Sequence, residues 1–310
     1  MERIWLSSYP PGVPTDLELD PADSLVSLTA RACERFPTQP AFTSFGRTIT
    51  YAELDELSTR FAAALQARFG LRKGDRVALM MPNCLQYPIA LLGVLRAGLV
   101  VVNVNPLYTA RELHHQLDDS GARAILVVAN AAATLAEIVD QTPLEHVIVT
   151  ELGDLLGFPK RQLVNAVVRY VRRMVPPYSL PDAVSLDAVL GTAAAQFQEP
   201  EIEGADLAFL QYTGGTTGLS KGAMLSHSNM VANVRQINTW FGSICKPGEE
   251  TVITALPLYH VYALTCNCFA YVDLGGHNVL ITDPRDTPAF VKELSKWRFS
   301  TITGVNTLYQ

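Results

Sequence analysis

Residues 212–222 read Tyr212-Thr213-Gly214-Gly215-Thr216-Thr217-Gly218-Leu219-Ser220-Lys221-Gly222. This Gly/Thr loop follows an apolar segment typical of a strand, and a helix is predicted after it. Its glycines let the backbone approach a ligand closely, and successive N–H groups in such a turn can form an anion-binding nest. The threonine hydroxyls add donors, and Lys221 adds a positive charge. The loop therefore favours a polyphosphate ligand over the alternative of a solvent loop rich in small residues.

Two common nucleotide-binding motifs do not fit the Gly/Thr loop. A Walker A loop needs Gly-Lys followed directly by Ser or Thr. Here Lys221 lies three residues after Gly218 and is followed by Gly222. The G-x-G-x-x-G fingerprint of dinucleotide-binding proteins is absent from the loop as well. The phosphate site is therefore predicted to belong to another class of nucleotide-binding protein.

Segments typical of strands and helices alternate along most of the chain. Capping boxes at 50–53 and 109–112 predict two helix starts, and β-branched apolar runs such as 99–104 indicate strands covered on both faces. Alternation of this kind implies right-handed βαβ crossovers, so we expect an α/β fold with largely parallel sheets flanked by helices. The predicted strands are 75–80, 99–104, 124–129, 146–150, 207–212, 251–256, 278–282 and 300–303. Further helices are predicted at 83–97 and 228–241, and a connector at 176–200.

Composition and charge exclude several classes of protein. The chain has 310 residues with 48% hydrophobic and 17% charged residues, which indicates a globular protein with a sizeable core. The net charge of −6 does not favour a nucleic-acid partner. The five cysteines are scattered, so we expect reduced thiols and no zinc site. The N-terminus lacks the apolar core of a signal peptide, and no run is long enough to span a bilayer, which predicts a cytoplasmic protein.

Four segments of the chain resemble one enzyme superfamily. The Gly/Thr loop and its extension 222–229 resemble the phosphate-binding signature of the adenylate-forming superfamily, and 257–265 resembles the superfamily's next motif. Residues 103–113 and 302–309 are similar to bacterial long-chain fatty acid–CoA ligases, which are AMP-forming acyl-CoA synthetases. The resemblance covers essentially the whole chain. In this sequence the four segments read GAMLSHSN, PLYHVYALT, NVNPLYTAREL and ITGVNTLY, at 222–229, 257–265, 103–113 and 302–309.

The resemblance implies ATP-dependent activation of a long-chain fatty acid. The carboxylate attacks the α-phosphorus of ATP to give acyl-AMP and pyrophosphate, and coenzyme A then displaces AMP to give acyl-CoA. Because the first step brings an anion to a polyanion, donors and cations that neutralise charge as pyrophosphate leaves lower the barrier directly. Mg²⁺ that bridges phosphate oxygens acts in the same way. The implied cofactors are ATP, Mg²⁺ and coenzyme A.

The candidate site residues divide into phosphate-binding and acyl-binding groups. By the resemblance, Lys221 and His260 are catalytic candidates, and His260 and Gly304 line the acyl and adenylate pocket. A histidine bonded to backbone and an ordinary strand-end turn remain the alternatives for His260 and Gly304. His114 and His115 are adjacent on a predicted helix, so their side chains should diverge and not share a metal. The candidate phosphate contacts are Thr213, Gly214, Gly215, Thr216, Thr217, Gly218 and Lys221.

The predicted domain organisation follows the resemblance. Residues 1–310 are expected to form an incomplete N-terminal adenylation domain, with 75–225 as a first α/β subdomain and 226–310, packed with 1–70, as part of a second. The adenine-binding motif, the hinge and the C-terminal lid domain of the family are absent, so the chain alone is expected not to catalyse. Two alternatives remain open. They are a ligase for an aryl or shorter-chain acid and a non-catalytic module that binds ATP or an acyl group.

The segment 158–178 has the composition of an amphipathic, membrane-facing helix. Its basic residues face one side at helical spacing, its apolar residues face the other, and it contains no acidic residue. We therefore expect peripheral contact with an anionic membrane, such as the inner membrane. The alternative is a surface helix that packs its apolar side on the core, with solvated arginines. Fatty acid, ATP and coenzyme A are the expected substrates, and the sequence leaves a homodimer open.

Overall fold

The computed structural model describes residues 3–214, 220–242 and 244–309. The strands in these ranges are β1 Pro40–Ser44, β2 Arg47–Thr50, β3 Arg76–Met80, β4 Val100–Val104, β5 Ala124–Val128, β6 His146–Thr150, β7 Val184–Ser185, β8 Leu207–Thr213, β9 Lys221–Ser226, β10 Thr251–Thr254, β11 His277–Leu280 and β12 Thr301–Ile302. The α-helices are α1 Leu25–Arg35, α2 Tyr51–Ala67, α3 Gln86–Arg96, α4 Ala110–Ser120, α5 Ala132–Ala136, α6 Lys160–Ala166, α7 Leu186–Leu190, α8 His227–Phe241, α9 Val261–Ala263, α10 Ala270–Asp273, α11 Thr287–Leu294 and α12 Asn306–Tyr309. Single-turn 3₁₀ helices lie at Ile4–Ser8, Val139–Gln141 and Ala194–Gln196, and π-helical turns at Val167–Val171 and Leu264–Phe269.

Two sheets contain these strands. The larger has the order β7-β6-β5-β3-β4-β8-β9, and its strands run parallel except for β9, which is antiparallel to β8. The smaller has the order β12-β10-β11-β1-β2, with β2 as its antiparallel edge strand. The two sheets and their flanking helices confirm the predicted α/β class with largely parallel sheets.

One hydrophobic core connects the two sheets. It includes buried residues of the central strands β3, β4 and β5, which are apolar apart from Arg76 and Asn103, together with α1, α2, α3 and α8. A second, smaller cluster lies on the smaller sheet and packs against α11 through Phe290. The capping boxes at Thr50 and Thr109 open α2 and α4 as predicted, and Gly121 ends α4 in the left-handed conformation.

Two sequence predictions need correction. The Gly/Thr loop precedes a strand, because Lys221–Ser226 forms β9 beside β8, and α8 begins only at His227. Strand β9 lies at the sheet edge and includes a glycine and an alanine, so it lacks the apolar pattern that marks the other strands. The segment 176–200 is more than a connector, since it contributes β7 to the opposite edge and also contains α7.

The five cysteines are free thiols, as expected. Burial raises the pKa of Cys33, Cys84 and Cys268 to about 12, so these thiols stay protonated at neutral pH. The divergence of His114 and His115 is confirmed, because their Nε2 atoms donate to different carbonyls, those of Gln141 and Ser220. Within the described ranges, no helix has both the length and the apolarity needed to cross a bilayer.

A buried histidine makes stability depend on pH. His227 is 1% exposed, its Nδ1 accepts from Leu25 N at 3.2 Å, and burial lowers its pKa to about 4. Asp206 and Lys73 are the charged groups that face it, with opposing effects on that pKa. Below pH 6.5 the imidazole of His227 binds a proton in the unfolded chain but stays neutral in the folded protein until the pH approaches 4. The unfolding free energy should therefore decrease by about 2 kcal/mol between pH 7 and pH 5 from this residue.

Chemical denaturation at pH 7 and pH 5 checks this prediction. His227→Gln should start less stable at pH 7 but lose less stability on acidification than the parent protein. An equal loss in both proteins would contradict the assignment of this pH dependence to His227.

Candidate functional site

Three candidate segments follow the carboxyl ends of strands. The Gly/Thr loop follows β8, the segment 255–260 follows β10, and Thr303 and Gly304 follow β12. Strands β10 and β12 are parallel neighbours, so their carboxyl ends lie side by side. In α/β proteins, ligands collect at this edge of the sheet.

A β-hairpin holds the two ends of the Gly/Thr loop. Strands β8 and β9 pair in antiparallel register, with Thr213 opposite Lys221 and Tyr212 opposite Gly222. Thr213, Gly214 and Lys221 are exposed to solvent. The other candidate phosphate contacts, Gly215, Thr216, Thr217 and Gly218, lie outside the described residues. The hairpin therefore brings a hydroxyl and a cation to the mouth of the loop.

Two side chains of helix α4 hold this hairpin through hydrogen bonds. The Tyr212 hydroxyl donates to Asp119 Oδ2 at 2.5 Å, and the ring packs against Gly222, where an added Cβ would lie 3.1 Å from it. His115 Nε2 donates to the carbonyl of Ser220 at 3.1 Å. Burial raises the pKa of the Tyr212 phenol, so it remains a donor at neutral pH. Both arms of the loop are thus fixed to the same helix.

A buried chain of amides connects β8 to the segment that carries His260. Gln116 Nε2 donates to the backbone carbonyl of Asn103 at 2.8 Å, and the side-chain Nδ2 of Asn103 donates to Gln211 Oε1 at 3.0 Å. Gln211 Nε2 then donates to the carbonyl of Tyr259 at 2.9 Å. Gln211 lies two residues before Thr213, and Tyr259 lies one before His260. This chain therefore sets the Gly/Thr loop relative to the His260 segment.

Two further side chains hold residues 254–258 in place. Asn83 donates through Nδ2 to the carbonyls of Thr254 and Leu256, at 3.0 and 2.9 Å, and accepts from Leu258 N at 2.8 Å. The Tyr87 hydroxyl lies 2.9 Å from the Leu258 carbonyl. The two side chains satisfy backbone groups of residues 256–258, which follow the end of β10, so this segment keeps one conformation.

His260 caps the short helix α9. Its Nδ1 accepts from Tyr262 N at 3.3 Å, and the side chain is exposed. The sequence leaves open a bond between His260 and the backbone, and the structure shows such a bond for Nδ1. In a neutral imidazole with Nδ1 as acceptor, the proton lies on Nε2, which leaves an N–H donor.

A second buried polar chain fixes the turn at Gly304. Thr303 Oγ1 donates to Asn267 Oδ1 at 2.8 Å, and Asn267 Nδ2 donates to Thr254 Oγ1 at 3.3 Å. An added Cβ on Gly304 would lie 2.7 Å from the ring of Tyr309, so the close neighbour here is the chain's own tyrosine. The turn after β12 is therefore tied to β10 and to the helical segment that follows His260.

Comparison with known proteins places this arrangement in a family. The family model described as AMP-binding enzyme matches residues 29–310. The chain belongs to the AMP-binding enzyme family. It is 56% identical over 310 residues to a long-chain-fatty-acid–CoA ligase of Escherichia coli O157:H7, covering all of this chain and 55% of that protein. A long-chain-fatty-acid–CoA ligase of Haemophilus influenzae is 53% identical over 316 residues, covering all of this chain and 56% of that protein.

A solved structure shows the same fold for the AMP-binding enzyme. The anthranilate CoA ligase AuaEII, in complex with anthranoyl-AMP, superposes with a TM-score of 0.77 at 17% sequence identity. The match covers 94% of this chain and 51% of that one. The chain thus spans about half the length of the curated relatives and of this structural neighbour.

The described residues of this AMP-binding enzyme include no group of three His, Cys, Asp or Glu that could hold a metal. Mg²⁺ that serves phosphate chemistry is usually held by one or two carboxylates together with substrate phosphates. The described residues therefore do not provide a preformed protein cage for the ion that the resemblance implies.

Proposed function

We propose that the whole protein activates long-chain fatty acids in two steps, first to acyl-AMP and then to acyl-CoA. The connection of the end of β8 to the His260 segment through Gln211, with the end of β12 beside that of β10, is the observation that supports it best. We place the phosphates at the loop that follows β8 and the acyl group at His260 and Gly304. The names of the relatives, which are 53–56% identical, support the long-chain substrate class.

The residues divide the adenylation step among them. We assign Thr213, Gly214 and Lys221 to the phosphates of ATP, together with Gly215, Thr216, Thr217 and Gly218 of the same loop. We assign Lys221 the role of a point charge that stabilises the departing pyrophosphate, rather than that of a general base. A cation at this position is most useful in the transition state, when the negative charge on the leaving group grows.

His260 and Gly304 belong to the acyl side of the site in this proposal. The Nε2–H of His260 orients the fatty acid carboxylate or donates to charge that develops during attack. Gly304 lets the backbone of this turn lie close to the ring of Tyr309, and we place the acyl group next to that turn. Mg²⁺, when bound together with ATP, would supply further positive charge beside the phosphates. Coenzyme A is the acceptor of the acyl group in the second step.

The test is exchange of labelled pyrophosphate into ATP by the whole protein, with a series of carboxylic acids. Exchange that rises with chain length into the long-chain range would support the proposal. Exchange with aryl or short acids alone would favour a ligase for another carboxylate. ATP binding without exchange for any acid would favour a non-catalytic module.

A further inference from the structure

The polar side of the 158–178 segment faces the protein. Arg161 forms ion pairs with Asp154 and Asp187, and Arg169 forms one with Glu151. Between these two arginines, Asn165 accepts from Gly153 N at 2.7 Å. In the alternative that the sequence leaves open, the apolar side packs on the core and the arginines lie in solvent. The structure has the opposite orientation, because Arg161 and Arg169 bind the helix to the domain. Asn165 also donates to Asp154 Oδ1 at 3.2 Å, so five carboxylate and amide contacts would have to break before the helix could turn its apolar side inward.

The apolar side of the same segment faces solvent. Tyr170 is 74% exposed and Val171 is 72% exposed. Exposed fractions this high are usual for charged side chains and unusual for a valine. The other exposed apolar residues of this face are Phe158, Leu163, Val167 and Met174. We call these six residues the apolar face. A contiguous apolar patch of this kind on a folded protein marks an interaction surface.

A groove lies beside the apolar face. It has a volume of about 530 Å³ and runs between the helix and the smaller sheet, with Leu163, Val164 and Val167 on one wall and Phe290 on the other. The acidic groups on the far wall are already engaged. Asp283 pairs with Arg285, Glu293 pairs with Lys296, and Asp286 caps α11 by accepting from Ala289 N. The groove is therefore lined by apolar residues and by acidic groups that are paired or that cap α11, and Arg172 adds one positive charge to its lining.

The charges around the apolar face identify its partner. Arg172 and Arg173 are exposed at the end of the helix, and within the described ranges no carboxylate lies within 4.0 Å of either guanidinium. A two-fold contact between copies through this face would bring together two surfaces that carry the same positive charges. An anionic bilayer offers both an apolar interior and a negative surface, and tyrosine is favoured at that interface.

We propose that the apolar face inserts into the interface of an anionic bilayer, with Arg172 and Arg173 at the head groups. The proposal deepens the function proposed above, because long-chain fatty acids partition into bilayers. It assigns the anchoring contacts to Tyr170, Val171 and the two free arginines. Arg161 and Arg169 serve instead to hold the helix in the orientation that exposes those contacts.

Co-sedimentation with vesicles tests the proposal without ATP, fatty acid or coenzyme A. The whole protein should bind phosphatidylcholine vesicles that contain about one third phosphatidylglycerol, bind pure phosphatidylcholine weakly, and dissociate as salt is added. The double variant Arg172→Gln/Arg173→Gln should lower the partition coefficient about 30-fold. Tyr170→Ser/Val171→Ser should lower it about tenfold or more, even at low salt.

Matched controls separate this surface from general effects. Ile4→Ser/Ile244→Ser removes two apolar residues of 73% and 71% exposure elsewhere and should leave vesicle binding unchanged. Arg35→Gln/Lys246→Gln removes two exposed charges elsewhere and should do the same. Wild-type binding by the Tyr170→Ser/Val171→Ser protein would overturn the proposal. A change of its oligomeric state without loss of vesicle binding would do so too, since the face would then contact protein.

Pyrophosphate exchange with dissolved fatty acid separates this proposal from the proposed function. The Tyr170→Ser/Val171→Ser protein should exchange at the wild-type rate while it fails to sediment with vesicles. Absence of exchange in the wild-type protein would count against the proposed function and would leave the docking result unaffected.

Discussion

Lys221→Ala should slow acyl-adenylate formation by a factor of about 10²–10³, as expected when one charge-stabilising group is lost from a transition state. The side chain is exposed at the mouth of the Gly/Thr loop, and its backbone pairs with Thr213. Alanine keeps that pairing, so the hairpin and the fold should persist. Pyrophosphate exchange by the whole protein measures the effect, and thermal unfolding checks that the variant is folded.

Lys246→Ala is the matched control for Lys221. Lys246 is an exposed lysine whose side chain contacts only Glu249 among the described residues, at 3.9 Å. Its replacement should leave exchange unchanged. If the Lys221 variant exchanges at the wild-type rate, the assignment of this lysine to the phosphates is wrong.

Gln211→Leu should lower both stability and turnover. The change keeps the side chain's size but leaves the amide of Asn103 and the carbonyl of Tyr259 without partners in a buried region. Each unsatisfied group costs about 1–3 kcal/mol, so the unfolding free energy should decrease by about 2–5 kcal/mol. Because the amide also sets the His260 segment relative to the Gly/Thr loop, kcat should decrease about 10- to 100-fold in the fraction that remains folded.

Gln236→Leu provides the comparison for Gln211. Gln236 is an exposed glutamine on α8, far from the three strand ends in the sequence. Its replacement should change the unfolding free energy by no more than about 0.5 kcal/mol. Gln211→Glu adds a second check, since a buried carboxylate cannot donate to the Tyr259 carbonyl. Normal turnover in the folded Gln211→Leu protein would show that this amide does not position the site.

The strands with continuous apolar runs could be predicted from the sequence. Burial on both faces selects β-branched residues, so segments such as Val100–Val104 carry the signal in their own composition. Strand β9 could not be found in this way, because an edge strand beside the Gly/Thr loop is selected for close backbone approach and exposure. Gly222 in this strand lets the ring of Tyr212 pack closely against the backbone, a contact that composition does not reveal.

The candidate site was only partly predictable for a related reason. The Gly/Thr loop and His260 lie in local motifs, whereas their supports come from distant residues. Asn83 contacts Thr254, 171 positions later, and Asn103 contacts Gln211, 108 positions later. One signal was present in the sequence: Asn103 and Gln211 are each polar residues inside an apolar strand. A buried amide needs partners, so such residues mark contacts between segments.

The orientation of the 158–178 helix was also beyond the sequence. Helical spacing correctly separates its arginines from its apolar residues, but it does not tell which side faces the protein. The acidic partners Glu151, Asp154 and Asp187 lie outside the segment and decide the matter. Amphipathicity alone therefore predicts a basic side and an apolar side. The ion pairs of the arginines place the basic side against the protein and leave the apolar side exposed.

Pyrophosphate exchange in the absence of coenzyme A distinguishes acyl-AMP formation from every other route to acyl-CoA. The whole protein should exchange labelled pyrophosphate into ATP only when a long-chain fatty acid is present, with no need for coenzyme A, because acyl-AMP forms first. Addition of coenzyme A should then release acyl-CoA and AMP in equal amounts. Exchange that requires coenzyme A, or release of ADP and phosphate in place of AMP and pyrophosphate, would contradict the account.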